Sequence, residues 1–277
     1  VGWERAADGT TCRFVGKVWR KSCQIGDGDH SIVVDGKRYH EETRATFSHA
    51  KEEGPVVVVR DMEEAEELAK VIRGEKDADF FYDYFEDKYS EDFDPERDLQ
   101  KLGVVNQTTM LAEETAAIAD LMRDAMRERY GEAHVEERFA DTSDTLCYAT
   151  NENQNATQAL IEDGADLGIV VGGYNSSNTS HLVELCEEHM PTYFIRDASE
   201  FDAPSEIHHF DVHAKEEVAT DDWFPAEDTP VDVLLTSGAS CPDALLDEVV
   251  RKIISWFPDA RPVEEAIAPF KEELEDE

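Results

Sequence analysis

Basic residues are scarce in this chain. Lys and Arg together number 26 against 65 Asp and Glu, which gives a formal net charge of -39 over 277 residues. Nucleic acid is bound by basic patches, so we expect no nucleic-acid partner. The acidic residues are spread over the whole length, and 40% of the residues are still hydrophobic. This combination predicts a folded protein with a salt-adapted, halophilic surface, because concentrated salt screens the repulsion between acidic groups.

Long apolar runs and a secretory signal are also missing. A helix that spans a bilayer needs roughly 18 consecutive apolar residues, and no stretch approaches that length. We therefore expect no membrane partner and a cytoplasmic location. The chain begins with Val1 rather than Met, in what looks like continuing sequence, so we expect it to be a fragment.

Cysteines are few and dispersed. The five cysteines show no Cys-x-x-Cys spacing. An odd, scattered set argues against a disulfide framework and against a local zinc site. For Cys23 and Cys186 the default interpretation is a small buried hydrophobe, and the helical pattern around Cys186 places it on a core face.

Apolar strands alternate with helical patterns along the whole chain. The strands are predicted at 31–34, 55–60, 102–106, 167–172, 192–196 and 231–236, and the clearest helix at 112–130. Such alternation predicts an α/β fold in which two similar domains each hold a small parallel sheet flanked by helices. We place the domains at 1–138 and 139–262, with an acidic, aromatic helical insertion at about 75–100 whose aromatic side chains pack inward. Residues 263–277 are predicted to form an acidic C-terminal tail.

A polar loop directly after the strand at 167–172 is the most informative segment for function. Glycines 172 and 173 let a ligand approach the backbone, and the amide N–H groups of a helix start point at the same spot. An ordinary helix cap needs one oxygen. Four polar residues in a row favour a phosphate or diphosphate site instead, and these are Asn175, Ser176, Ser177 and Asn178.

A second loop repeats this order of apolar strand, small polar residues and helix start. It runs from Thr236 through Ser240 to Pro242 and Asp243. Since ligands of open α/β sheets lie outside the carboxyl ends of the strands, we expect both loops to face one ligand.

Five motifs, taken in order, resemble the LytB/IspH family of 4-hydroxy-3-methylbut-2-enyl diphosphate reductases, and its plant and cyanobacterial branch most. They are His40-Glu41-Glu42-Thr43, Asn106-Gln107-Thr108-Thr109-Met110, Asp144-Thr145-Leu146-Cys147-Tyr148-Ala149-Thr150, Asn175-Ser176-Ser177-Asn178 and Ser237-Gly238-Ala239-Ser240. The resemblance runs from about residue 10 to 257. It implies reductive removal of a hydroxyl from an allylic diphosphate, giving isopentenyl and dimethylallyl diphosphate, in the last step of the non-mevalonate isoprenoid pathway.

The resemblance also implies a [4Fe-4S] cluster held by three cysteines, one from each of three pseudo-equivalent domains. Cys12 and Cys147 are similar to the second and third of these ligands. The first is expected in a preceding domain, so we expect the 277-residue chain alone to be inactive. The implied electron donor is a small ferredoxin or flavodoxin.

The remaining site residues are carried over from the matching motifs. His40 resembles the family's diphosphate-binding histidine, Glu42 its proton donor and Thr108 the hydroxyl that orients the substrate alcohol. Ser176, Ser177, Asn178 and Ser240 resemble its diphosphate ligands. Thr150 and Gln154 are expected to support the Cys147 segment.

The sequence departs from the family pattern in three places. Asp8-Gly9-Thr10-Thr11-Cys12-Arg13 replaces Asp-Thr-Thr-Cys-Pro, and Asp35-Gly36-Lys37 replaces His-Gly-Lys. In Thr150-Asn151-Glu152-Asn153-Gln154 an asparagine stands where arginine is usual. Two alternatives therefore stay open. One is a phosphometabolite-binding module without a cluster, and the other is an unrelated cytosolic sugar-phosphate enzyme without metal.

Overall fold

The protein is described by a computed structural model that covers residues 13–140, 148–225, 230–257 and 259–266. The chain divides into two compact units, residues 1–152 and 153–277. Each unit contains a small parallel sheet of three strands, with helices packed against it. The predicted α/β class with two similar sheets is confirmed.

The first unit is built on strands β1 (Ser31–Asp35), β2 (Val56–Val59) and β3 (Leu102–Asn106), in the order β2-β1-β3. Every residue of the three strands is buried, as is typical of parallel sheets covered on both faces. The helices of this unit are α1 (Arg13–Asp27), α2 (Glu41–Ala50), α3 (Met62–Arg73), α4 (Ala78–Tyr84), α5 (Pro95–Asp98), α6 (Ala112–Tyr130) and α7 (Val135–Arg138), with a 3₁₀ turn at Glu132–His134.

Alternate strand residues face two different helix layers. Val33 packs with Leu68 of α3 and Met122 of α6 on one face. Ile32 packs with Val18 and Ile25 of α1 on the other face. This division follows from the period of two along a strand, and it holds the sheet rigidly between the layers.

The acidic, aromatic segment at 75–100 is partly helical, in α4 and α5. Phe81 and Phe85 are fully buried and stack with each other at 5.2 Å between ring centroids. Tyr82 is 37% exposed, so the inward packing predicted for these aromatic side chains does not extend to it.

The second unit is built on β4 (Leu167–Val171), β5 (Thr192–Ile195) and β9 (Val233–Ser237), in the parallel order β5-β4-β9. Its helices are α8 (Tyr148–Asp163, which begins in the first unit), α9 (Ser177–Glu187), α10 (Asp243–Ile254) and α11 (Val263–Ala266). A separate antiparallel sheet contains β6 (Phe201–Ala203), β7 (Glu206–Asp211) and β8 (Glu216–Asp221), after a 3₁₀ turn at Ala198–Glu200. The sequence analysis did not predict this antiparallel sheet.

None of the helices in the described ranges is long and apolar enough to cross a membrane.

Candidate functional site

The two parallel sheets share a feature that positions their polar loops. In each sheet the first strand lies in the centre, and the two later strands flank it. The chain passes from the central strand to the strand on one side and later reaches the strand on the other side. This reversal of strand order creates a switch point at the carboxyl edge of the sheet. The loops after β1 and β3 open there in the first unit, and the loops after β4 and β9 in the second.

In the first unit this switch point brings Glu42 to Thr108. The backbone N–H of Thr108 donates to Glu42 Oε1 at 2.5 Å, and the Thr108 hydroxyl donates to Glu42 Oε2 at 3.0 Å. Glu42 lies in the first turn of α2, and Thr108 is the second residue after β3. Two residues that are 66 positions apart in the chain thus form one bidentate contact.

Burial sets the protonation behaviour of this pair. Desolvation raises the pKa of Glu42 above its ordinary value, while the two hydrogen bonds from Thr108 lower it and offset part of that rise. A carboxyl group with a raised pKa is a better proton donor near neutral pH than an exposed one. Glu42 is therefore suited to donate a proton to a substrate.

His40 caps the same helix. Its Nδ1 accepts the backbone N–H of Glu42 at 3.3 Å, and its backbone is extended, as is usual at an N-cap. Because Nδ1 accepts, the neutral ring carries its proton on Nε2. In this tautomer Nε2 is the hydrogen-bond donor of the ring.

Gln107, which was not selected as a site residue from the sequence, supports this arrangement. Gln107 Oε1 accepts the hydroxyl of Thr43 at 2.9 Å and the backbone N–H of Lys37 at 3.3 Å. Its Nε2 donates to the hydroxyl of Thr109 at 2.8 Å. Gln107 thus joins the loop after β1, helix α2 and the loop after β3, and it fixes the residue that precedes Thr108. Its position within the Asn-Gln-Thr-Thr-Met motif was the available signal.

Asp35 ends β1 directly beneath this loop. Its side chain is fully buried, Oδ2 accepts the hydroxyl of Thr115 at 2.9 Å, and Oδ1 has no hydrogen-bond partner among the residues that the structure describes. Burial raises the pKa of Asp35 to about 7, and the hydrogen bond from Thr115 opposes that rise. The carboxyl group is therefore protonated in part of the neutral range.

In the second unit the two polar loops converge as predicted. Strand β9 pairs with β4 so that Val171 lies opposite Ser237, and the N–H of Gly238 donates to the carbonyl of Val171 at 3.0 Å. The loops at 172–176 and 238–242 therefore leave neighbouring strands side by side.

The side chain of Thr179 fills the space between these loops. Its hydroxyl donates to Ser176 Oγ at 2.9 Å, and Ser176 Oγ also accepts the Thr179 N–H at 3.2 Å as the N-cap of α9. A Cβ on Gly172 would lie 2.7 Å from the Thr179 hydroxyl, and a Cβ on Gly238 would also collide with it. Both glycines are therefore required for the close approach of the two loops.

Asn178 carries a buried amide without a hydrogen bond to any described residue. It is 5% exposed, and neither Nδ2 nor Oδ1 has a hydrogen-bond partner within the described part of the chain. An unsatisfied buried amide is costly, roughly 1–3 kcal/mol, and such groups often mark ligand sites. Ser177 is half-buried in the first turn of α9, and Ser240 is exposed on the turn after Gly238.

Helix α8 is held against the second of these loops. Asn153 Nδ2 donates to the carbonyl of Ser237 at 2.7 Å, and Thr157 and Thr236 share a hydrogen bond at 2.9 Å. Thr150 and Gln154, which the sequence analysis placed in support of the Cys147 segment, are both buried. Asparagine at 153 therefore ties the helix that follows Cys147 to the loop that carries Ser240.

Cys12 and Cys147, the residues expected to bind the cluster, lie outside the described residues. Each directly precedes the first residue of a helix, α1 and α8 respectively. Among the described cysteines, Cys186 is unsuited to this role, since it is fully buried among apolar residues and burial raises its pKa to about 12. The assignment of Cys12 and Cys147 as cluster ligands stays a prediction.

The match to a known protein family decides to which family the chain belongs. The profile of the LytB protein family matches residues 4–254. The chain belongs to the LytB family. This membership excludes the interpretation as an unrelated sugar-phosphate enzyme.

Similar family members are named 4-hydroxy-3-methylbut-2-enyl diphosphate reductase. The protein of Gloeobacter violaceus is 40% identical over 245 residues, which is 88% of this chain and 57% of that protein. The protein of Synechocystis sp. is 38% identical over 255 residues, which is 92% of this chain and 65% of that protein. The chain therefore spans about three fifths of the length of these relatives.

Among solved structures, the E-1-hydroxy-2-methyl-but-2-enyl-4-diphosphate reductase of Plasmodium falciparum is similar in fold. Its TM-score is 0.57 at 20% sequence identity, and the match covers 88% of this chain and 58% of that one. The likeness supports the α/β architecture.

Proposed function

We propose that the protein reduces 4-hydroxy-3-methylbut-2-enyl diphosphate to isopentenyl and dimethylallyl diphosphate, as part of an iron-sulfur enzyme of the non-mevalonate isoprenoid pathway. The observation that carries the proposal is the contact between Glu42 and Thr108 at a sheet switch point, in a chain of the LytB family. The names of the relatives, which describe a reductase acting on this allylic diphosphate, support the substrate class.

The diphosphate end of the substrate is assigned to the loops of the second unit. Ser176, Ser177, Asn178 and Ser240 provide hydroxyl and amide donors beside the N-terminus of α9. The helix dipole and free N–H groups of such an end favour an anion. The unsatisfied amide of Asn178 supports this assignment, since a phosphate oxygen would accept from its Nδ2. His40, which matches the family's diphosphate-binding histidine in its motif, is assigned a further diphosphate contact.

The alcohol end of the substrate is assigned to Thr108 and Glu42. The Thr108 hydroxyl orients the alcohol and links it to the Glu42 carboxyl group. Reduction adds two electrons and two protons, breaks the C–O bond and releases the oxygen as water. Glu42 donates a proton, and protonation of the allyl fragment at one or other end gives the two products.

A [4Fe-4S] cluster held by Cys12 and Cys147, with a further thiolate, would supply the electrons and receive them from a ferredoxin or flavodoxin. Residues 1–138 and 139–262 then correspond to the family's second and third domains, before an acidic tail at 263–277. We propose a cytoplasmic, halophilic setting, in keeping with the net charge of -39.

Iron and acid-labile sulfide analysis of the natural protein, isolated without oxygen, tests this function against a phosphometabolite-binding module without a cluster. We expect about four iron and four sulfide per chain, together with turnover of the allylic diphosphate by a chemical reductant. Tight binding of the diphosphate without iron or turnover would establish the binding module instead.

A further inference from the structure

At the amino-terminal edge of the first sheet, helix α1 lies against the turn between α2 and β2. A Cβ on Gly26 would lie 2.6 Å from the carbonyl oxygen of Glu53, so only glycine permits the observed approach. The Trp19 and His49 rings stack at 5.0 Å between centroids, with an interplanar angle of 17°. These two contacts fix the position of the end of α1 against the turn between α2 and β2.

Three different metal-binding side chains meet at this junction. The Cys23 sulfur, a ring nitrogen of His49 and a carboxylate oxygen of Glu53 all lie within 4.8 Å of one another. The three residues come from α1, α2 and the turn after α2, so the tertiary fold alone brings them together.

We propose that Cys23, His49 and Glu53 form a zinc site. Thiolate, imidazole and carboxylate are the ligands that Zn²⁺ takes in proteins, at about 2.0–2.3 Å from each ligand atom. Tetrahedral geometry places such ligand atoms about 3.4–3.8 Å apart, so small side-chain rotations bring all three within binding distance. Mg²⁺ and Ca²⁺ prefer sites made only of oxygen ligands, and a thiolate therefore selects against them.

The surroundings suit a bound ion. Stacking on Trp19 orients the His49 ring, as neighbouring groups orient histidine ligands in known metal sites. Glu53 is exposed and lines an open cleft of about 440 Å³ that also contains Gly26 and His30, so a metal ion can enter from solvent. Water in this cleft supplies the fourth ligand. Binding converts the Cys23 thiol to the thiolate and releases its proton to solvent.

This zinc site is separate from Glu42 and Thr108. Cys23 and Glu53 lie near residues that precede β1 and β2, whereas Glu42 and Thr108 follow the carboxyl ends of β1 and β3. Strands of four to five residues separate the two edges by roughly 13–17 Å. The zinc ion would fix the far end of α1, the helix whose first residue follows Cys12, and so stabilise the segment that carries this cluster ligand.

Zinc content and thermal stability of the natural protein test the proposal. After incubation with Zn²⁺ and removal of loosely bound metal, we expect the parent protein to retain one more zinc per chain than Cys23→Ser or His49→Gln. Glu53→Gln should weaken zinc binding by about tenfold or more. Added Zn²⁺ should raise the melting temperature of the parent protein and leave that of Cys23→Ser unchanged, because only a ligand of the folded state stabilises it.

Matched variants separate this site from other ligands. Cys241→Ser removes a half-buried thiol elsewhere, and Glu52→Gln removes the neighbouring exposed carboxylate. Both should bind zinc like the parent protein. Zinc held by other thiols contributes equally to all samples, and circular dichroism confirms that each variant is folded. Equal zinc content in the parent, Cys23→Ser and His49→Gln would overturn the proposal, whether or not the reductase function holds.

Discussion

Glu42 accepts two hydrogen bonds from Thr108, one from its backbone N–H and one from its hydroxyl. The pairing uses both carboxylate oxygens, so it fixes the rotation of the Glu42 side chain as well as its position. The proposed proton donation by Glu42 requires a defined distance from the atom that is protonated, and a side chain fixed in this way meets that requirement.

Replacing Glu42 by glutamine should lower turnover by roughly a hundredfold or more, because the amide retains the shape but cannot donate a proton as an acid does. Substrate binding and cluster content should stay near those of the parent protein. Steady-state assays with the allylic diphosphate, together with iron analysis, measure both quantities.

Glu41→Gln is the matched control for this substitution, because Glu41 is the exposed neighbour in the same helical turn. It should retain normal turnover.

The raised pKa of Glu42 also makes turnover depend on pH. Turnover of the parent protein should fall as the pH rises through that pKa, since the carboxylate form has no proton to donate. Normal turnover by Glu42→Gln would assign proton donation to another group.

Ser240→Ala should chiefly raise KM and leave kcat within a few-fold. Ser240 is exposed, so replacing it should not disturb the fold. The variant should lose only one hydrogen bond to the diphosphate, which lowers the affinity roughly tenfold, or by about 1.4 kcal/mol. Ser205→Ala, in an exposed turn of the same unit, serves as the control and should not change KM. An unchanged KM for Ser240→Ala would remove this residue from the diphosphate site.

Gly238→Ala should weaken diphosphate binding more strongly than Ser240→Ala does. The added Cβ collides with Thr179, which forces the loops after β4 and β9 apart. Gly173→Ala is a milder change in the same region, because its Cβ would meet only the end of the Asn175 side chain at 3.0 Å. Calorimetric titration with the substrate compares the two variants. Equal affinities would show that the loop spacing does not control binding.

Asp35→Asn should stabilise the protein at high pH. The pKa of Asp35 is about 7 in the folded chain against an ordinary 3.8, so the stability contributed by its protonated form is present below about pH 4 and is lost as the pH rises through about 7. Asparagine retains an acceptor for Thr115 and carries no charge at any pH. The stability advantage of the variant over the parent protein should be larger at pH 8 than at pH 4 by roughly 4 kcal/mol, since each unit of the pKa rise corresponds to about 1.4 kcal/mol.

Urea unfolding at pH 4 and pH 8 checks this difference. The comparison between the two proteins isolates Asp35, because all other titrating groups are common to both. A difference in stability that is the same at both pH values would contradict a raised pKa for Asp35.

Much of the architecture could be predicted from the sequence because its signals are local. The helix over Ala112–Tyr130 and the strand over Leu102–Asn106 have the predicted bounds, since both show a clear hydrophobic period. The convergence of the Ser176 and Ser240 loops followed from the polar residues after two apolar strands, because the carboxyl ends of parallel strands lie at the same edge of a sheet. Cys186 is buried, as its helical pattern predicted.

Other features depend on contacts that no local pattern encodes. Strands β7 and β8 are polar and largely exposed, and only Ile207 is buried in them, so their alternation was too weak to predict. The pairing of Thr43 with Gln107 joins residues 64 positions apart. Cys23 was expected to be a buried hydrophobe, but it is half-buried beside Glu53, because the turn after α2 folds back onto α1.

The most direct test of the central claim is an anaerobic assay of the natural protein with 4-hydroxy-3-methylbut-2-enyl diphosphate and a strong reductant. We predict that isopentenyl and dimethylallyl diphosphate form together, and that Glu42→Gln forms them at roughly one hundredth of the rate or less. If protein with a full complement of iron and sulfide binds the substrate but forms neither product, the proposed reductase function is wrong.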